Sequence, residues 1–223
     1  MEVRILWFVL IATIVWALSM AIEASAFDTS HSSGLIGRFD SPIALLELAK
    51  SHQAFAAVID QGARDKNIRI MRINTNMDFV FIVLYCFTLI LIVAVTADTP
   101  ILTMATVVAV VATGLLDCWE NFRLLGVLKV TEYVTAMEAP LPRPVSLAKW
   151  GLFAFDLAFA GVALLQARIH EGKLALLAMA ALVFLASALA AIGLLYARII
   201  GASVLCLFPA LLIGAWVWRP RTT

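Results

Sequence analysis

Charge is scarce in this chain: 14% of its 223 residues are charged, against about 25% in an ordinary soluble domain. Hydrophobic residues make up 63% and the mean hydropathy is +1.00, which excludes a soluble globular protein and predicts an integral membrane protein. A net charge of +1 offers nothing to attract nucleic acid or another polyanion. Cysteine is also sparse. Cys86, Cys118 and Cys206 are widely separated, odd in number and form no C-x-x-C pair, so neither a disulfide framework nor a zinc site is expected. The histidines His31, His52 and His170 all fall outside the apolar runs, which argues against haem held by histidines within the membrane. H-x-x-E-H, H-E-x-x-H and nucleophile-elbow patterns are missing too, so no cofactor or metal is named by sequence.

What is abundant is the long apolar run. A membrane helix needs about 20 mostly apolar residues, because in hydrocarbon only the helix itself can satisfy the backbone. Six stretches qualify: Ile5 to Ile22, Phe79 to Ala97, Ile101 to Glu120, Val145 to Gln166, Leu174 to Tyr196 and Ile199 to Trp218. The first resembles a signal peptide, with Arg4 before it and Ala24-Ser25-Ala26 after it. Its apolar stretch of about 18 residues exceeds the 7 to 15 of a signal, so it is read as an uncleaved span. Between spans one and two, Ser41 reads as an N-cap, Pro42 as the first helical residue and Gly62 as a stop. Ile43, Leu45, Leu48, Phe55, Val58 and Ile59 form one apolar stripe, against Glu47, Lys50, Gln53 and Asp60. This predicts one amphipathic interfacial helix over Ser41 to Gln61, lying in the membrane plane or roofing the bundle. The fold class is therefore all-α: a single membrane domain of six transmembrane helices plus one interfacial helix.

Alternation of the spans puts the segment from Glu23 to Met77, the end of span three and the start of span four on one side. Most of the basic residues lie there, which by the positive-inside rule makes that side cytoplasmic; the signal-like first helix points the other way. The polar residues of the spans gather on the same side. A charge at the centre of a membrane helix costs about 2.5 to 3.5 kcal/mol, so each one requires a reason. In "GLLDCWENFRLL", helical spacing places Gly114, Asp117 and Asn121 on one face, with Glu120 beside them. The apolar part of span three, Ile101 to Leu116, is too short to cross, so Asp117 and Glu120 are expected at headgroup level. There they form either an acid/base pair or a solvated helix end.

Asp78 reads as the favoured acid at the N-terminus of span two, capped by Asn74, Thr75 or Asn76, on one face with Phe81, Ile82 and Tyr85. Lys149, Phe153 and Asp156 share a stripe of span four, where Lys149 can snorkel and Trp150 serves as an interfacial anchor. Asp156 sits near mid-span and needs a partner. Lys149, a hydroxyl such as that of Tyr85, Thr103 or Ser187, or a proton are the candidates. The candidate catalytic residues are accordingly Asp117, Glu120 and Asp156, and the candidate ligand-binding residues Asp78, Tyr85, Asn121, Lys149, Glu47 and His52. For His52, packing on the interfacial helix is the competing reading.

The succession of "LLELAKS", "MDFVFIVLY", "DCWEN" and "KW" between Ile43 and Asp156 resembles a group of small, uncharacterised bacterial polytopic membrane proteins with a D-x-x-E-N helix end. The resemblance implies a bacterial inner-membrane location and brings no activity with it. Three functions fit the pattern. One is a one-sided interfacial site that binds or processes a lipid or other hydrophobic ligand. Another is an accessory or assembly subunit that meets a membrane-protein partner, or its own copy, through the small residues of "LASALAAIGLL" in spans five and six. The third is a proton- or cation-coupled transporter using Asp156.

Overall fold

A computed structural model describes residues 2–28, 42–60, 62–132, 141–171, 174–194 and 200–218. Those residues are helical, with no strand among them. In chain order the helices are α1 (Glu2–Ser25), α2 (Pro42–Glu47), α3 (His52–Ile59), α4 (Arg64–Thr96), α5 (Pro100–Glu132), α6 (Arg143–Glu171), α7 (Leu174–Gly193) and α8 (Ile200–Val217). Five of them, α1, α4, α5, α6 and α7, contain stretches long and apolar enough to cross a membrane, and the chain is an integral membrane protein. The sixth apolar helix, α8, is shorter and carries Pro209 within it.

The long helices pack as a ring. α1 meets α4, α4 meets α5 and α6, α6 meets α7, α7 meets α8, and α8 returns to α1. Their shared core includes Leu6, Leu10, Ile82, Leu89, Val110, Leu157, Leu164, Met179 and Val183. The small residues Ala186 and Ala190 of α7 are buried within this chain. At Gly161 of α6, a side-chain carbon would fall 2.9 Å from the Phe184 ring, so a glycine lets that ring settle against the helix.

Two boundaries differ from those expected, and for one reason. α4 starts at Arg64, far ahead of Phe79, and α5 runs on to Glu132, well past Glu120. At 1.5 Å per residue these 33-residue helices are each about 50 Å long, against a hydrocarbon layer of about 30 Å. The extensions are held by a second apolar core. Ile68 and Met71 of α4 and Leu124, Val127 and Leu128 of α5 close on Phe55, Val58 and Ile59 of α3. This cap stacks on the end of the bundle, and the polar residues of "DCWEN" lie between the two cores.

The asparagines and the threonine of "DKNIRIMRINTN", three of them the expected caps of span two, lie inside α4 with their polar groups satisfied there or across to neighbouring segments. Thr75 Oγ1 donates to the Met71 carbonyl and the Asn76 amide to the Arg72 carbonyl, each one turn back. Asn74 reaches across to the Met20 carbonyl of α1. None of the three caps span two, because the helix is already under way. Asn67, fully buried, accepts from the Asp28 N–H at 2.7 Å and donates to the Asp28 and Ile59 carbonyls at 2.9 and 3.0 Å. One amide thus ties the chain after α1 to the end of α3.

The expected single interfacial helix is two helices. α2 ends at Glu47, and Ser51 caps α3 by accepting from the Ala54 N–H at 3.1 Å. A serine inside the apolar periodicity acts as a start signal rather than an interior residue. The break splits the stripe: Phe55, Val58 and Ile59 enter the cap core, while Leu48 joins Ala44 against Leu147 and Trp150. Ser41 and Gln61, the expected ends, lie outside the described residues. α3 stops at Ile59 with Asp60 as its cap, ahead of Gly62.

Gly62 has another task. A side-chain carbon there would fall 2.5 Å from Asp28 Cγ, while Asp28 Oδ2 accepts from the Ala63 N–H at 3.0 Å. Gly62→Ala is expected to destabilise the cap by about 1–3 kcal/mol, the range for forcing extra volume into a packed site. Limited proteolysis should then cut at Arg64 faster than in the wild type; an unchanged rate would mean that Asp28 yields without cost.

Candidate functional site

The site is built around Lys149, one turn into the apolar part of α6. Its ammonium lies 3.4 Å from Glu47 Oε2, 3.2 Å from Asp117 Oδ1 and 2.6 Å from Glu120 Oε2. The ammonium donates hydrogen bonds to Glu47 Oε2 and Asp117 Oδ1, and meets Glu120 as an ion pair. The group is almost dry: relative exposure is 6% for Lys149, 8% for Glu47, 7% for Asp117 and 0% for Glu120. Lys149 therefore does not snorkel, and Asp117 and Glu120 are not a solvated helix end. The reason is the cap, which continues α5 beyond the acids and covers them with α2 and α3.

Aromatic side chains complete the enclosure. The Trp150 indole N–H donates to Glu47 Oε2 at 3.1 Å, so Trp150 is a hydrogen-bond partner within the site rather than a free interfacial anchor. Its ring lies 4.9 Å from the Lys149 ammonium, within cation–π range. The Tyr85 hydroxyl donates to Asp117 Oδ2 at 3.0 Å. Phe81, Tyr85, Phe153 and Trp150 form a continuous row, with successive ring centroids 5.6, 5.9 and 5.7 Å apart. Edge-on and tilted contacts at these distances are favourable for aromatic pairs.

α2 is pinned at this point. Glu47 closes the short helix with its carboxylate on Lys149 and Trp150, and the Ser146 hydroxyl lies 3.0 Å from the Glu47 carbonyl. On the neighbouring flank, the Asn121 amide donates to Asp78 Oδ2 at 2.9 Å. Asp78 is thus a mid-helix residue of α4 paired with α5, and the expected capping position does not exist. Gly114 of α5 leaves room for Cys86 of α4, whose Sγ would be 2.9 Å from any side-chain carbon at that position. That close approach brings the Asp117–Asn121 turn against Asp78 and Tyr85.

Below this layer the bundle encloses a cavity of about 180 Å³. Its polar end is lined by Glu47, Asp78, Tyr85, Asp117, Lys149 and Trp150, and its apolar part by residues such as Leu89, Leu157 and Leu211 from α4, α6 and α8, while α1 contributes Ala17, level with Asp78. Thr13, Thr88 and Thr113 also line it, and the Thr13 and Thr88 hydroxyls pair at 2.8 Å.

Of the residues expected at the site, Glu47, Asp78, Tyr85, Asp117, Glu120, Asn121 and Lys149 come together. Asp156 and His52 do not join them. Asp156 is fully buried, and its partner is the Thr113 hydroxyl at 2.7 Å. The partner is a hydroxyl, as one of the expected alternatives had it, but not one of those named: Tyr85 is bound to Asp117, as is Lys149, Ser187 donates to the Ala154 carbonyl and Thr103 to the Thr99 carbonyl. His52 opens α3 and lies outside the cavity lining. Among the described residues no cluster of three or more His, Cys, Asp or Glu side chains is arranged to hold a metal. Lys149 occupies the position where the carboxylates converge. Family models, curated proteins and solved structures were compared with this chain, and none matches it.

Proposed function

We propose that this chain is a six-span protein of the bacterial inner membrane that binds an amphiphilic molecule. The apolar part of the ligand would occupy the cavity among α1, α4, α6 and α8, and its polar head would meet Asp78, Tyr85, Asp117 and Lys149. The observation that carries the reading is the continuity of a single cavity from a dry ion cluster into the apolar bundle core. Binding sites are typically mostly apolar pockets with a few convergent polar groups. An apolar cavity of about 150 Å³ is large enough to take a benzene ring, so this one admits a ring or a short stretch of alkyl chain. The six-span count rests on α8 crossing with the other long helices, and the bacterial location on the resemblance of the segment from Ile43 to Asp156.

Purification in a mild neutral detergent followed by native mass spectrometry is expected to show a retained amphiphile at a fixed stoichiometry. Ala17→Phe, which adds a ring to the cavity wall at a residue that carries none of the ion pairs, should abolish that retention while leaving the helical signature intact. Equal retention by the variant, or none by the wild type, overturns the reading.

A further inference from the structure

We infer that the head group this cavity accepts is a cation, of the class of protonated or quaternary alkylamines. The inference rests on the amphiphile-binding reading and specifies its chemistry. Among the described residues three acids, Glu47, Asp78 and Asp117, line the cavity, and Lys149 is the one basic side chain that does. Glu120 adds a fourth carboxylate behind them, 2.6 Å from the same ammonium. Lys149 is already ion-paired with Glu47, Asp117 and Glu120, so its single positive charge is outweighed by carboxylates before an anionic head could reach it. A phosphate or carboxylate entering here would meet the acids unshielded in a dry setting, where like charges repel strongly.

Two further features point to a cation. Glu120, buried behind the cavity lining, has neither carboxylate oxygen hydrogen-bonded among the described residues and is met by Lys149 as an ion pair alone. A buried carboxylate left short of donors is costly, and a nearby positive charge offsets that cost. The second feature is the aromatic row. Phe81, Tyr85, Phe153 and Trp150 all line the cavity next to the acids, and Trp150 already holds the Lys149 ammonium against its ring. Faces of aromatic rings combined with carboxylates recognise alkylammonium groups through cation–π and charge attraction together. Asp78 is the acid best placed for the head, since it lines the cavity and, among the described residues, has Asn121 as its one hydrogen-bond partner.

The test uses three probes with the same chain: octylamine, octanol and octanoate. Each is titrated by calorimetry into the full chain in a neutral maltoside detergent near neutral pH, with protein-free micelles as blank. Octylamine is expected to bind about tenfold more tightly than octanol, equivalent to ~1.4 kcal/mol, with octanoate weakest. In Asp78→Asn, which can still accept from Asn121, the preference for amine over alcohol should shrink while octanol affinity is retained. If octanol or octanoate binds as well as the amine, the charge inference fails and the amphiphile site stands. If Ala17→Phe binds all three probes as the wild type does, the site itself is wrong.

Discussion

Replacing Lys149 with methionine is expected to be the most damaging single change in the protein, costing about 3–5 kcal/mol, the range for removing one partner of a buried ion pair. Methionine retains the length and flexibility of the lysine stem, so packing against Trp150 and Phe153 is largely preserved. What disappears is the charge. Glu47, Asp117 and Glu120 would then face one another in a site where none of them is more than 8% exposed. Neighbouring charges cannot replace the ammonium, because the nearest basic side chain of the same extension, Arg123, lies over the Trp119 ring and donates to the Leu141 carbonyl. Unfolding followed by helical signal during titration with a denaturing detergent should show the loss directly. Adding Asp117→Asn and Glu120→Gln to Lys149→Met should recover part of it, because residues in one network are not additive. A single variant as stable as the wild type would mean that the cluster is not assembled as described.

The same cluster explains what could be read in the residues and what could not. Apolar length announced the long helices, and the spacing of Asp117, Glu120 and Asn121 put them together on α5, on what the structure shows to be the side that meets α4 and α6. Lys149 was equally visible as a charge that opens a span. Their burial was not visible, because it depends on residues distant in sequence: Glu47 comes from α2, and the cap core joins Phe55 to Leu124 and Leu128. A window that averages hydropathy ends span three at the acids, although Leu124, Val127 and Leu128 resume the helical spacing immediately afterwards. That resumed stripe was the available signal for the α5 extension. The Thr113 partner of Asp156 carried no such signal. Thr113 is one threonine among several at similar depth, and only the packing of α5 on α6 selects it. The Trp150 hydrogen bond was hidden for a related reason. A tryptophan beside a lysine at the end of an apolar run reads as an interfacial anchor, but Glu47 provides its indole with a buried acceptor.

Phe55→Ala tests whether the cap, rather than the bundle, keeps the ion cluster dry. Phe55 is one of the largest fully enclosed side chains, and it belongs to the cap core alone. Truncating a buried phenylalanine costs about 3–5 kcal/mol, through lost transfer energy and the cavity left behind. The expected consequence is local. The bundle core shares no residue with the cap core, so α1, α4, α6, α7 and α8 should keep their packing while α2 and α3 detach. Detachment withdraws Glu47 from Lys149 and admits water to Asp117 and Glu120. Hydrogen exchange should therefore accelerate across residues 42–60 and in α5 beyond Glu120, with the protection of α7 unchanged, as expected when structural units open separately. Lys149 should also become reactive toward an amine-modifying reagent that leaves it untouched in the wild type. Global unfolding of the variant, with α7 losing protection alongside α3, would show instead that cap and bundle form one cooperative unit and that α2 cannot lift from the site on its own.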